Sequence, residues 1–189
     1  MNGLVCFNKV RVDRTRGVQQ PSKLKIAEFD SPYPLQIIII IMLYLIKEHT
    51  DELLKLINED PIRPGIPNSQ RIGKNKDIFI SHDDNGVHAV TCVSYQKNIP
   101  KDESELFENL DQPNVAIFYT IWSYQPGSGR QLLLDSVKYI QENNKYIERF
   151  VTLSPKTEMA RKFHLKNGAS IFRENAETIN YEYRTLAQR

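Results

Sequence analysis

The run from Val115 to Gly129, VAIFYTIWSYQPGSG, constrains this chain more than any other stretch. From Val115 to Tyr124 nearly every side chain is β-branched or aromatic, the composition of a pleated, largely buried strand. Gly127 and Gly129 then break the strand. Leu132, Leu133, Val137 and Ile140 recur beyond them on one stripe of a helix. A strand that passes through a glycine turn into an amphipathic helix belongs to a sheet with that helix packed on one face. The same junction can hold an anion, because glycine lets backbone N–H groups approach a ligand and a helix N-terminus carries about half a positive charge. No GK[ST] follows, so the loop is not a Walker A loop, and the third glycine of GxGxxG is missing.

The flanking segments extend the sheet. In DIFISHDDNGVHAVTCVSYQ, Asn85-Gly86 predicts a type I′ hairpin turn, with Asp83 opposite His88 and Ile80 opposite Thr91. That register places Phe79, Val90 and Cys92 on one face and Ile78, Ile80 and Val93 on the other, so both faces should be covered. The Asp83–His88 pair is expected as an exposed cross-strand pair. Downstream, RFVTLS reads as a buried strand, Ser154-Pro155 as the start of a helix, and Gly168 as its end. ASIF and TINYEY close the chain as two strands. The order is a mixed α/β sheet whose helices alternate with strands in the second half.

Upstream, the pattern from Leu35 to Asn58 is helical, with Thr50 capping a second helix. LQIIIIIMLYLI, Leu35 to Ile46, stops at Lys47, well short of the about 20 apolar residues that cross a bilayer, so it is expected in the core. Three prolines and a glycine make EDPIRPGIPNSQ a loop. The chain of 189 residues has 25 basic and 23 acidic side chains, a net charge of +2. That balance argues against nucleic acid or an anionic membrane as partner on charge alone. Two cysteines, Cys6 and Cys92, and four scattered histidines give no zinc spacing, so no metal is expected and a reducing cytoplasm is the expected setting.

The order strand, GxG, helix, strand, helix, strand, strand, with PGSGRQLL and TEMARKFHLKNGA in these places, resembles the GNAT N-acetyltransferase superfamily. Gly127, Gly129, Leu132 and Leu133 match its pyrophosphate loop, and Ala160, Lys166 and Gly168 its following helix. The resemblance covers about residues 77–184, and the whole of 1–189 is expected to form one domain, with 1–34 least defined. Tyr124 replaces the loop's leading Gln or Arg, with Gln125 adjacent, and Thr157 replaces an asparagine. His164 stands in place of the tyrosine that protonates the departing thiolate in many members. AIFYTIWSYQPGSG, FVTLSP, FHLKNGA and NYEY are similar, in this order, to the GNAT-like catalytic half of the malonyl-CoA decarboxylase family, whose FHLxNGA histidine is a proton donor. That family's serine on the FYSIS-type strand has no clear counterpart, and Thr120 or Ser123 would have to substitute.

The resemblance implies a mixed, mostly antiparallel GNAT-like sheet flanked by helices. It also implies acetyl-CoA or another acyl-CoA as cosubstrate, and an acyltransferase acting on an unknown acceptor. His164 would be the general acid, with Thr120, Ser123 and Tyr181 as further catalytic candidates; His82 and His88 are weaker candidates for a base. Imidazole titrates near neutral pH, so it can donate a proton to a thiolate or an enolate and recover it. Expected cofactor contacts are Trp122 and Tyr124 at the acyl carbonyl, Gln125, Gly127, Ser128, Gly129 and Arg130 at the pyrophosphate, and Ser154 and Thr157. Decarboxylation of an acyl-CoA is the alternative within enzymes. A degenerate CoA-binding module, with the isoleucine-rich segment serving a partner such as a second copy of the chain, is the alternative outside them.

Overall fold

The structure, a computed structural model, describes residues 42–108 and 111–184. Their backbone forms one sheet of strands β1 (Met42–Ile46), β2 (Lys76–Asp83), β3 (Gly86–Gln96), β4 (Val115–Ser123), β5 (Arg149–Thr152), β6 (Ser154–Pro155), β7 (Ala169–Glu174) and β8 (Thr178–Tyr183). The order is β1-β2-β3-β4-β5-β8-β6, with β7 on β8. Only β4 and β5 run parallel; every other pairing is antiparallel. Three α-helices accompany the sheet: α1 (Asn68–Arg71), α2 (Ser128–Asn143) and α3 (Glu158–Lys166).

Two apolar layers cover the sheet, as the two-faced hairpin demanded. Leu132, Leu133, Val137 and Ile140 of α2 meet Phe79, Ala89, Val93, Ala116 and Phe118 on one face. Phe163 of α3 joins that layer. On the other, Leu54, Ile57, Ile66 and Ile72, from a 3-10 helix (Glu52–Glu59) and the Pro-rich loop after it, meet Ile78, Ile80, Val90 and Cys92. Burying each such Leu, Ile, Val or Phe is worth about 1.5–3 kcal/mol, so α2 is held by its stripe.

The hairpin register differs from the sequence expectation by two residues at the turn and by one beyond it. Asp83 pairs with Gly86, which puts Asp84 and Asn85 in the turn, and a bulge follows at His88. Gly86 takes the positive φ, +131°, so a two-residue turn closes without Asn85 entering the left-handed region. Ile80 therefore opposes Val90 and Ile78 opposes Cys92, and those four share a face while Phe79 and Val93 share the other. A one-residue slip moves side chains across a sheet in this way.

Three further expectations are corrected. The segment Met42–Ile46 is a strand, not a helix: among the described residues β1 pairs with β2 alone, and Met42 and Tyr44 lie exposed while Ile46 is buried. Tyr44 and Ile46, an aromatic and a β-branched residue, suit a strand paired with β2; Leu35–Ile41 lie outside the described residues. The following turn is capped by Asp51, which accepts from Leu53 N at 2.9 Å, rather than by Thr50. Ser154-Pro155 pairs with β8 as a strand, and Thr157 instead caps α3, accepting from Ala160 N. Gly168, at φ +87°, ends α3 as expected. Among the described residues no helix is long and apolar enough to cross a membrane.

Candidate functional site

The site lies where β4 and β5 part. Their parallel pairing runs from Val115↔Arg149 to Phe118↔Thr152, and the last link is Leu153 N to Phe118 O at 3.0 Å. β4 continues to Ser123 without that partner, while the chain after β5 turns away to pair with β8. A bulge in β4 at Tyr119 marks the parting, because Val93 opposes Phe118 and Cys92 opposes Thr120. It turns Tyr119 and Thr120 to the same face.

On the helix face of this junction sits His164. Its Nε2 lies 2.8 Å from Ser154 Oγ and its Nδ1 2.7 Å from Tyr183 Oη. Ser154 Oγ donates to Thr152 Oγ1 at 2.9 Å, so it accepts from an Nε2–H tautomer while Tyr183 donates to Nδ1. The Tyr181 ring stacks on the imidazole at 4.6 Å between centroids, and Phe163 meets it edge-on. Burial under these rings lowers the His164 pKa to about 4, so the ring is neutral at pH 7. Burial likewise raises the Tyr183 and Tyr181 hydroxyls. Tyr181 contributes its ring to this pocket; its own hydroxyl is buried without a hydrogen-bond partner.

The opposite face carries a buried ionic cluster. Asp60 Oδ2 accepts from Arg71 Nη1 at 2.7 Å, and both side chains are fully buried. Asp60 Oδ1 accepts from Thr120 Oγ1 and from the N–H groups of Ile62 and Arg63. Arg71 reaches the carbonyls of Arg63 and Ile66. Arg63 closes the cluster: Nη1 donates to Tyr119 O at 2.6 Å and Nη2 to Leu153 O at 2.9 Å. One guanidinium thus bridges both strands at the point where they separate.

The glycine loop lies at the far end of β4. Gly127 is the N-cap of α2 at φ +85°, a conformation that glycine adopts without strain. The first helical bond runs from Gln131 N to Gly127 O, so the N–H groups of Gly129 and Arg130 have no partner within the helix. A Cβ on Gly129 would touch Ser123 Cβ and Oγ at 3.6 Å and Phe163 at 3.9 Å, so β4, α2 and α3 converge there. The loop is anchored to β3: Tyr124 N and Ser128 Oγ both donate to His88 O, at 2.8 and 2.9 Å. His88 Nε2 in turn lies 3.0 Å from Asp83 Oδ1. Burial works against the Asp83 charge, but the Asn85 N–H and side chain, with His88, hold its pKa below the usual carboxylate range. The pair expected on the surface is buried.

The candidates fall into separate groups. Gly127, Gly129 and Arg130 line the helix start, with Ser123 against Gly129 and exposed Gln125 in the loop. The Ser128 hydroxyl and the Tyr124 N–H are taken by His88 O, and the Tyr124 hydroxyl donates to Glu59. Trp122 packs against the layer opposite the helices. Ser154 belongs with His164, Tyr181 stacks on it, and Thr157 serves as a helix cap. Thr120 faces Asp60 rather than His164. His82 packs edge-on against Tyr44 in the outer hairpin. Sequence reasoning missed Tyr183, Thr152 and the Asp60–Arg63–Arg71 cluster. The period-two spacing of Tyr181 and Tyr183 puts both on one face and could have indicated the first; loop arginines carry no periodic signal. Among the described residues no three His, Cys, Asp or Glu side chains gather as metal ligands.

This arrangement of strands matches known structures. The chain aligns with malonyl-CoA decarboxylase from Cupriavidus metallidurans at a TM-score of 0.59 and 15% identity, over 76% of this chain and 60% of that one. It aligns with the loading GNATL domain of CurA from Lyngbya majuscula at 0.59 and 16% identity, over 79% and 100%. It also aligns with a Bacillus subtilis acetyltransferase in complex with CoA at 0.53 and 13% identity, over 78% and 100%. The fold is the GNAT fold. The expected sheet and the expected superfamily resemblance are both borne out at that level. The chain spans less than two thirds of the decarboxylase chains it resembles, 60% and 33% of the two compared. No protein-family model matches the sequence, and no curated protein does.

Proposed function

We propose that this chain is an acyl-CoA acyltransferase on a GNAT-like domain, with the thioester at the parting of β4 and β5. The observation that carries the reading is the His164–Ser154 pair, 2.8 Å apart, one residue beyond Leu153 at that parting. The CoA pyrophosphate would lie against the free N–H groups of Gly129 and Arg130, with the Arg130 guanidinium as ion partner. The pantetheine arm would follow the edge of β4 that β5 leaves unpaired.

When an acceptor amine attacks the thioester, the nitrogen loses a proton and the departing sulfur gains one. A histidine held neutral, with one donor and one acceptor nitrogen, can carry that proton between them without a net change of charge. Ser154 would turn its O–H from Thr152 to the departing sulfur and take the Nε2 proton. Nδ1 would take the Tyr183 proton, which the proton lost by the amine restores. The low pKa of His164 argues against a standing imidazolium and in favour of such a relay.

Decarboxylation is the second reading, favoured by the histidine in place of the usual tyrosine. There the C–C bond to the carboxylate breaks, carbon dioxide leaves, and the same relay protonates the enolate carbon. Incubation with acetyl-CoA and with malonyl-CoA, following free thiol and carbon dioxide separately, distinguishes the two. Amine-dependent thiol release supports transfer, and carbon dioxide with acetyl-CoA as product supports decarboxylation. Tight CoA binding without turnover of either would sink both and leave a binding module.

A further inference from the structure

Arg63 carries more charge than its structural contacts require. Its two Nη atoms bind the carbonyls of Tyr119 and Leu153, which a neutral amide could also do. The one fully buried carboxylate nearby, Asp60, is bonded to Arg71, to Thr120 and to two backbone N–H groups. Two buried guanidinium groups therefore share one buried carboxylate.

The remaining edge of Arg63 faces the acidic loop. Its Nε lies 3.2 Å from Glu103 Oε1 but is off-line for a hydrogen bond, although the Arg63 side chain is only 3% exposed. Glu103 belongs to a short 3-10 turn on that loop, and its side chain is 53% exposed. A surface carboxylate thus rests loosely on a buried cation that lacks an aligned partner. A planar carboxylate fits the Nε–Nη edge of a guanidinium with two parallel hydrogen bonds, a geometry that Glu103 does not reach.

We infer that Arg63 is the specificity-determining residue of the site and takes a carboxylate of the substrate in the place Glu103 now occupies. The inference rests on the acyl-CoA reading. Arg63 stands at the parting of the strands on the face away from α2, so a group held there is either the far end of the acyl chain or part of the acceptor. Both sources offer the same chemistry. Substrate binding then moves one side chain, Glu103, and leaves the two bonds to the strands in place.

Calorimetric titration of the full chain with acetyl-CoA and malonyl-CoA tests the first source. Acetyl transfer to glycine against glycinamide tests the second. In one of the two pairs the carboxylate-bearing compound should be preferred by about 10- to 100-fold, the range for hydrogen bonds to a charged group. Glu103→Gln, on the exposed turn, should widen that preference and leave acetyl-CoA affinity unchanged. Arg63→Lys should abolish the preference. Equal treatment of both pairs by the native chain and by Glu103→Gln overturns the inference while the acyl-CoA reading stands. Failure to bind any acyl-CoA overturns that reading and the inference together.

Discussion

Two polar clusters meet back to back at Leu153 and Ser154. The Leu153 carbonyl accepts from Arg63 on one face, and the Ser154 hydroxyl meets His164 on the other. The arginine side is ionic, anchored by the fully buried Asp60–Arg71 pair. The histidine side is neutral, a chain of Tyr183, His164, Ser154 and Thr152 closed under aromatic rings. Burial treats the two differently. A buried ion pair is costly to break because the survivor keeps its charge. Removing a buried neutral histidine leaves two hydroxyls short of partners but no uncompensated charge. The first cluster therefore sets the geometry of the parting strands, and the second lies beside the parting on the other face.

Breaking the ionic side should have the largest effect on stability. Asp60→Ala leaves Arg71 buried and unpaired, and should cost about 3–5 kcal/mol in urea unfolding. A loss below about 1 kcal/mol would mean that the cluster is not ionic as described.

Acid should reveal the neutral side. Burial lowers the His164 pKa from 6.5 to about 4, so above pH 6.5 the ring is neutral in both folded and unfolded chains and its contribution is complete. As pH falls through 6.5 toward 4, the unfolded chain takes up a proton that the folded one refuses. Stability should drop by about 3 kcal/mol over that window. Asp83, Asp102 and Asp111, whose pKa values lie below 3.8, lose their contributions only at lower pH. His164→Gln should flatten the 6.5-to-4 window; an unchanged slope would assign it to another group.

Variants in the glycine loop test the proposed phosphate contacts apart from either cluster. Gly129→Val adds methyls where a Cβ already touches Ser123, and should cost about 1–3 kcal/mol while weakening CoA binding. Gly127→Ala meets open space but must hold φ +85°, a smaller cost of about 1 kcal/mol. Unchanged CoA affinity in both variants would make the loop a turn and nothing more.

The helix stripe of Leu132, Leu133, Val137 and Ile140, the glycine turn before it and the stop at Gly168 were legible because each follows from local geometry. The hairpin was legible but not its register: Asn85-Gly86 permits a turn in either of two places, and the bulge at His88 is set by tertiary contacts. Met42–Ile46 was misread because a continuous apolar run has no period to separate strand from helix. His164 stood out through its motif, but its neutral state depends on Tyr181 and Tyr183, which the chain delivers from a strand 17 to 19 residues later. Asp60, Arg63 and Arg71 looked like loop charges because nothing in a Pro-rich segment signals that it folds under a sheet.

The role of His164 is tested most directly by His164→Ala, with CoA affinity and turnover measured on the same preparation. Turnover of the acyl-CoA substrate should fall by about 100- to 10,000-fold, the usual contribution of a positioned acid or base. CoA affinity should change little, because the proposed pyrophosphate contacts are at Gly129 and Arg130, away from His164. Full turnover in that variant would make His164 a packing residue and contradict the account.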